Sequence, residues 1–174
     1  MCMKSFLLLL AFVTVCFIAC QSQIKNSENT NMSGVAMQFL QSLTAAQKEK
    51  AQFSFENEER YNWHYVPLER KGIPLKELTS KQVNIGMDLL HTALSDTGFE
   101  KTIAVIKLEN VLREIENASP DYRNAGNYYF TIFGSPADSI WGWRLEGHHV
   151  SFNFSSQNYQ LTHIAAFLAL TVKF

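Results

Sequence analysis

The stretch WGWRLEGHHVSFNF, residues 141–154, decides the fold, because large apolar side chains alternate in it with small or polar ones. An alternation of period two indicates a β-strand with one face in the core. Glu146-Gly147 interrupts the pattern and predicts a hairpin with a two-residue loop. The expected cross-strand pairs are Leu145 with His148, Arg144 with His149, Trp143 with Val150 and Trp141 with Phe152.

The predicted hairpin has one apolar and one polar face. The apolar face contains Trp141, Trp143, Leu145, His148, Val150, Phe152 and Phe154, and the polar face contains Gly142, Arg144, His149, Ser151 and Asn153. A buried guanidinium needs a carboxylate partner. We therefore expect Arg144 to lie inside the fold, paired with Glu109 or Glu114 of a helix.

Helical patterns dominate the chain before residue 117. A short helix over 33–43 should turn Val35, Phe39 and Leu43 inward. Three segments have the form of a capping box, in which a hydroxyl and a side chain three residues later satisfy donors at a helix start: Thr44–Gln47, Thr79–Gln82 and Thr97–Glu100. The residues predicted to face inward are Val83, Met87, Leu90 and Leu94 after the second box, and Ala104, Leu108, Val111 and Ile115 after the third.

The remaining segments complete an α+β fold. Pro67, Gly72 and Pro74 predict an extended or looped chain over 60–78. Aromatic and β-branched residues bounded by glycines predict a strand over Tyr128–Phe133. The expected architecture is a helical N-terminal half packed on an antiparallel sheet with a C-terminal hairpin, in a single domain over residues 34–174.

The N-terminus has the form of a lipoprotein signal peptide, residues 1–19. A basic Lys4 precedes an apolar run that is too short to span a bilayer comfortably, and the run ends at Ala19-Cys20. We expect cleavage before Cys20, lipid on that cysteine, and a disordered polar tether over 20–33. The chain is then anchored to a membrane of the bacterial cell envelope, on its periplasmic or surface face.

Composition argues against nucleic-acid binding, against a polybasic membrane-binding patch and against a disulfide. The formal net charge of −1 and the absence of a basic stripe argue against nucleic acid and against a polybasic membrane patch. Cys2 and Cys16 lie in the segment to be removed, so the mature chain keeps Cys20 alone. No disulfide within the mature chain is expected, and the fold must rely on its core.

Two long motifs resemble a known family. RYNWHYVP at 60–67 with RKGIPL at 70–75, and WGWRLEGHH at 141–149, resemble the bacterial domain of unknown function 3500 family. The similarity extends from about Phe39 to about Phe167. Members of that family are typically much longer, so the chain resembles an N-terminal half, an incomplete domain. The resemblance implies export in many members and supplies no activity.

The last residues suggest a shifted reading frame. Relatives continue into a segment that reads roughly Phe-Phe-Gly-Ala-Asn, whereas this chain reads FLALT over residues 167–171. Loss of one T from codons such as TTT TTT GGC GCT AAC converts the first reading into the second. We therefore expect residues 160–174 to form an apolar strand that lacks a sheet partner from the lost half.

The polar face and the aromatic segment before the sheet supply the candidate ligand-binding residues. A guanidinium binds carboxylate or phosphate in bidentate fashion, and neighbouring aromatic rings stack on sugars or bases. The expected ligand is therefore a small molecule or a glycan. The candidate residues are Trp63, His64, Arg144, Glu146, His149 and Asn153.

An enzyme is the alternative, and the sequence leaves open whether the protein is one. A hydrolase would use His64, His149 and a carboxylate, with or without a metal. Adjacent histidines in a strand point to opposite faces, so His148 and His149 are not expected to share one ion. No metal-ligand spacing of known type occurs in the chain. The sequence therefore predicts neither a metal nor another cofactor.

Overall fold

The computed structural model describes residues 32–66 and 68–168. The signal peptide, Cys20 and the segment after Leu168 lie outside the described residues. Met32 and Ser33, which were assigned to the tether, are helical and buried. Among the described residues, no helix combines the length and the apolar character that crossing a membrane requires.

Four helices and six strands form the described chain. The helices are α1 (32–42), α2 (Ala45–Ala51), α3 (Ser80–Ala93) and α4 (Asp96–Ile115). The strands are β1 (Gln52–Phe53), β2 (Ile73–Pro74), β3 (Tyr129–Phe133), β4 (Ile140–Glu146), β5 (Val150–Gln157) and β6 (Gln160–Leu168). One short 3₁₀ helix, Glu58–Tyr61, overlaps the start of the segment predicted to be looped, and a second, Leu75–Glu77, lies within it.

The strands form one mixed sheet in the order β1-β3-β4-β5-β6, with β2 paired to β3. The β1–β3 pair is parallel, and the pairs β3–β4, β4–β5 and β5–β6 are antiparallel. The α+β prediction is confirmed. The first half of the chain also contributes β1 and β2 to the sheet.

The predicted hairpin exists, but its register was wrong. Leu145 pairs with Phe152 and not with His148. The observed partner lies four positions further along the chain than the expected one. An even shift leaves every strand residue on its predicted face, because side chains alternate with a period of two. Glu146 belongs to β4 and points into the polar face, so the turn moves two residues onward to His148 and His149.

The helix starts were predicted better than the helix faces. The capping boxes at Thr44 and Thr79 are confirmed, whereas Ser95, not Thr97, caps α4 by accepting from the N–H of Gly98. The buried face of α3 is rotated toward Ile85, Gly86, Leu89 and Leu90. The inward residues of α4 are Thr102, Val105, Ile106, Glu109 and Leu112, while Val111 and Ile115 are exposed.

The two faces of the sheet are covered differently. Helices α1, α3 and α4 pack on the apolar face, where the core contains Phe39, Phe130, Trp143, Phe152 and Phe154. The polar face is covered by the irregular segment that follows β1, which includes Glu59 and Arg70. Arg144 and Glu146 therefore lie beneath this segment and away from the helices.

Two helical glycines differ in the space that a side chain would have at their positions. A Cβ on Gly86 of α3 would lie 2.7 Å from Phe130 Cε2, whereas a Cβ on Gly34 of α1 would meet nothing within 4 Å. The Phe130 ring is held between Phe39 and Trp143, with ring centroids 5.2 and 6.4 Å away. Close approach of α3 to the sheet therefore depends on the missing side chain at Gly86.

Alanine at these two positions should change stability in opposite directions. Gly34→Ala should raise the free energy of unfolding by about 0.5–1 kcal/mol through helix propensity. Gly86→Ala has the same gain in helix propensity, but overpacking against Phe130 should lower the free energy of unfolding by about 1–3 kcal/mol. The variant should therefore be less stable than the native chain. Urea unfolding of both variants checks this, and a stabilising Gly86→Ala would contradict the packing described.

Candidate functional site

The polar face is organised around Arg144, whose side chain is fully buried. Its Nη2 lies 2.8 Å from Glu59 Oε1 and 2.9 Å from Glu146 Oε1. Its Nη1 donates to the carbonyl oxygens of Glu59 and Asn62, each at 2.9 Å. Arg144 thus joins β4 to the segment that covers it, and the expectation of a buried, paired arginine is met.

The partners expected for Arg144 were wrong. Glu109 pairs with Arg123 and His148, and Glu114 is exposed. Both belong to α4, which packs on the opposite, apolar face of the sheet. The carboxylates come instead from a 3₁₀ helix and from the strand of Arg144 itself.

Arg70 extends this buried network to the end of the hairpin. Its Nε lies 3.5 Å from Glu146 Oε2, which also accepts from the backbone N–H of His64 at 2.9 Å. The Arg70 guanidinium donates to the carbonyls of Leu68, His64 and Gly147 at 2.7, 3.2 and 3.1 Å, and also to that of Val66. We refer to Glu59, Arg70, Arg144 and Glu146 as the buried ion network.

Burial shifts the pKa of two members of this network, Glu146 and Arg70. It raises the pKa of Glu146, against the opposing effects of Arg144, the His64 N–H and Arg70. It also lowers the pKa of Arg70, against the attraction of Glu146. The charges of Glu146 and Arg70 are therefore each costly by themselves, and the opposite charges beside them offset part of that cost.

The turn from Gly147 to Val150, called the histidine turn below, is closely anchored. The N–H of Gly147 donates to Val150 O at 2.7 Å, and the hydroxyl of Tyr128 donates to His148 O at 2.7 Å. His149 has a φ of 65° and donates its N–H to Tyr65 O at 3.0 Å. A Cβ on Gly147 would lie 2.3 Å from the Tyr128 ring, so glycine is required there.

The histidine turn brings the two imidazoles together. Because they occupy a turn and not a strand, their rings stack with centroids 3.8 Å apart instead of pointing to opposite faces. Burial lowers the pKa of His149, and the neighbouring His148 lowers it further. The premise that these residues cannot share one ion was therefore wrong.

Glu109 and Arg123 complete this second cluster. Glu109 Oε1 lies 3.0 Å from His148 Nδ1 and 3.3 Å from Arg123 Nη1, and Arg123 also contacts His148 Nδ1. On its far side, Arg123 binds both carboxylate oxygens of Glu116 at 2.9 Å. This hydrogen bond lowers the pKa of Glu116. Donor atoms of Glu109, His148 and His149 all lie within 4.8 Å of one another.

A cleft of about 300 Å³ opens beside this cluster. Three tyrosines contribute to its wall, so we call it the tyrosine cleft. Its lining contains three acidic side chains, two basic side chains and two neutral amides, and it includes Glu109 and His148. The lining residues are Leu68, Glu69, Arg70, Lys76, Glu109, Asp121, Tyr122, Asn124, Asn127, Tyr128, Tyr129 and His148.

The candidate residues predicted from the sequence lie in three parts of the structure: the buried ion network, the segment that covers the polar face, and the second cluster. Arg144 and Glu146 are buried in the ion network, with Asn153 opposite Arg144 on β5. Trp63 and His64 are half-buried on the covering segment, where His64 Nε2 lies 2.9 Å from Asn62 Oδ1. His149 alone joins Glu109 in the second cluster.

Sequence reasoning missed several residues of this region as site residues. Glu109 was considered as a partner of Arg144, and Arg123 and the tyrosines were not considered as site residues. The helical periodicity of α4 could have indicated Glu109. A helix that turns Val105 and Leu112 toward the core also turns Glu109 inward. A buried glutamate on a helix facing a histidine pair would then have drawn attention to this end of the sheet.

The comparisons with known proteins agree with the two sequence motifs. Residues 25–170 match the model of one family, described as "Protein of unknown function (DUF3500)". No match was found among curated proteins or among solved structures. Since the matched region covers most of the chain and includes both motifs, the chain belongs to the DUF3500 family of proteins of unknown function.

Proposed function

We propose that this protein binds a small polyhydroxylated ligand, such as one sugar unit of a glycan, in the tyrosine cleft. The observation that carries the proposal is the lining of the cleft, which combines Tyr122, Tyr128 and Tyr129 with carboxylate and amide groups. A volume of about 300 Å³ is at the lower end of the range for small-molecule sites. The cleft is therefore suited to a compact ligand.

The available groups suit hydroxyls better than a charged ligand. Glu109 and Arg70 are already engaged in internal pairs, so they offer little net charge to a ligand. The side-chain Oδ1 of Asn127 is buried without a hydrogen-bond partner in the described part of the chain. Tyr122 is half exposed and offers a ring face for the apolar side of a sugar. Amide and carboxylate acceptors beside an aromatic ring orient such ligands through directional hydrogen bonds.

Hydrolysis of the bound ligand is the second candidate, favoured by one contact. Glu109 Oε1 lies 3.0 Å from His148 Nδ1, and both residues line the cleft. A carboxylate that orients an imidazole is the arrangement of a general base, provided that the Arg123 guanidinium, which contacts the same nitrogen of His148, moves away. His64, which was expected in this role, lies on the covering segment and bonds to Asn62 instead. Release of free sugar would distinguish hydrolysis from simple binding.

We also propose that the protein is exported and anchored through lipid on Cys20, in the bacterial cell envelope. The apolar run that ends at Ala19-Cys20 supports this. Cys20→Ala should abolish incorporation of labelled fatty acid, with Cys16→Ala as the matched control that keeps it. Unchanged labelling of the Cys20→Ala chain would refute the anchor.

Loss of one exposed ring should weaken ligand binding selectively. Tyr122→Ala should reduce the affinity for a bound saccharide about two- to tenfold, because one stacked ring contributes about 0.5–1.5 kcal/mol. Tyr159→Ala is the control, since Tyr159 is also exposed but follows the opposite end of β5. Calorimetric titration with a panel of monosaccharides and short glycans measures both. Equal effects of the two variants, or no binding by the native chain, would contradict the proposal.

A further inference from the structure

We propose that Glu109, His148 and His149 form a binding site for one divalent transition-metal ion such as Zn²⁺, Co²⁺ or Ni²⁺. The inference deepens the proposed function, because Glu109 and His148 line the tyrosine cleft in which a ligand would bind. Two imidazoles and one carboxylate are the donors that such ions accept, and they leave further coordination positions open.

The donor atoms are close to the required arrangement. Ligand atoms bonded at about 2.1 Å to one ion lie about 3.0–3.4 Å apart in tetrahedral or adjacent octahedral positions. Glu109 Oε1 and His148 Nδ1 already meet this condition at 3.0 Å. All three donors lie within 4.8 Å of one another, so binding requires side-chain movements on the order of 1 Å.

The backbone of the histidine turn holds the imidazoles in place. The left-handed conformation of His149 sets its ring beside that of His148, and the carbonyl of Tyr65 fixes its N–H. Non-glycine residues rarely adopt this conformation, and such positions concentrate at functional sites. The Tyr128 hydroxyl and the Arg70 guanidinium hold the carbonyls of His148 and Gly147. Little ordering of the turn is left for binding itself.

Arg123 currently supplies the positive charge of the cluster. Its Nη1 contacts Glu109 and His148, the groups that would bind the ion. A divalent ion must therefore displace this guanidinium. The Arg123 side chain is 8% exposed, and it is also bound in bidentate fashion by Glu116, whose side chain is 40% exposed against 2% for Glu109. A displaced guanidinium would keep Glu116 as its partner, which makes Arg123 a competitor of the metal.

Titration of the purified, metal-free chain with Zn²⁺ and Co²⁺ tests the site. Native protein should bind one ion per chain, and Glu109→Gln and His149→Ala should each weaken binding at least about tenfold. His91→Ala is the matched control, because His91 also faces a carboxylate, Asp96, but on the outer surface between α3 and α4. Arg123→Met should strengthen binding at least about tenfold by removing a competing charge.

A measurement on the native chain avoids dependence on the folding of variants. The nitrogen resonances of two of the five imidazoles should shift on adding one equivalent of Zn²⁺, and they should assign to His148 and His149. Resonance shifts confined to His64, His91 or His163 would overturn the inference. So would the absence of stoichiometric metal binding in both the native protein and Arg123→Met. Saccharide titration in the presence of a chelator is independent of the metal, so each proposal fails separately.

Discussion

A buried guanidinium between two buried carboxylates is the constraint on which the rest of this structure depends. Arg144 is fully enclosed, and charges removed from water are tolerated only with close partners. Glu146 comes from the same strand, but Glu59 must come from elsewhere. The irregular segment after β1 therefore has to lie across the polar face, and the helices are left to cover the apolar face.

The buried ion network also determines what lies at the end of the hairpin. Glu146 binds Arg70, and Arg70 holds the carbonyl of Gly147, so the network reaches the histidine turn directly. The turn then presents His148 to Glu109 beside the tyrosine cleft. A structural ion pair and a candidate binding site are thus successive parts of one arrangement, with the charges inside the fold and the imidazoles at its edge.

The sequence was sufficient for features that depend on local pattern. Alternation along 141–154 correctly assigned the strand residues to two faces, although the register was wrong, because the turn was placed at Glu146-Gly147. Glycine favours turns locally, but the pairing of Glu146 with Arg144 overrides that preference. The prediction of the buried face of α4 was wrong for a similar reason. Glu109 is buried through its contacts with Arg123 and His148, which are distant from it in sequence. The left-handed backbone of His149, on which the cluster depends, has no sequence signal.

The stability of Arg144→Met at two pH values tests the central role of the network most directly. At pH 7 we expect this variant to lose about 3–5 kcal/mol in the free energy of unfolding, because two carboxylates stay buried without their partner. The loss should be smaller at pH 5, because burial raises the pKa of Glu146 and Arg144 opposes that rise. Without Arg144, folded Glu146 binds a proton more readily than the unfolded chain does. Arg113→Met, which removes an arginine of α4 that forms no ion pair with another described residue, should cost less than about 1 kcal/mol. Unchanged stability of Arg144→Met at pH 7, or an equal loss at both pH values, would contradict the account.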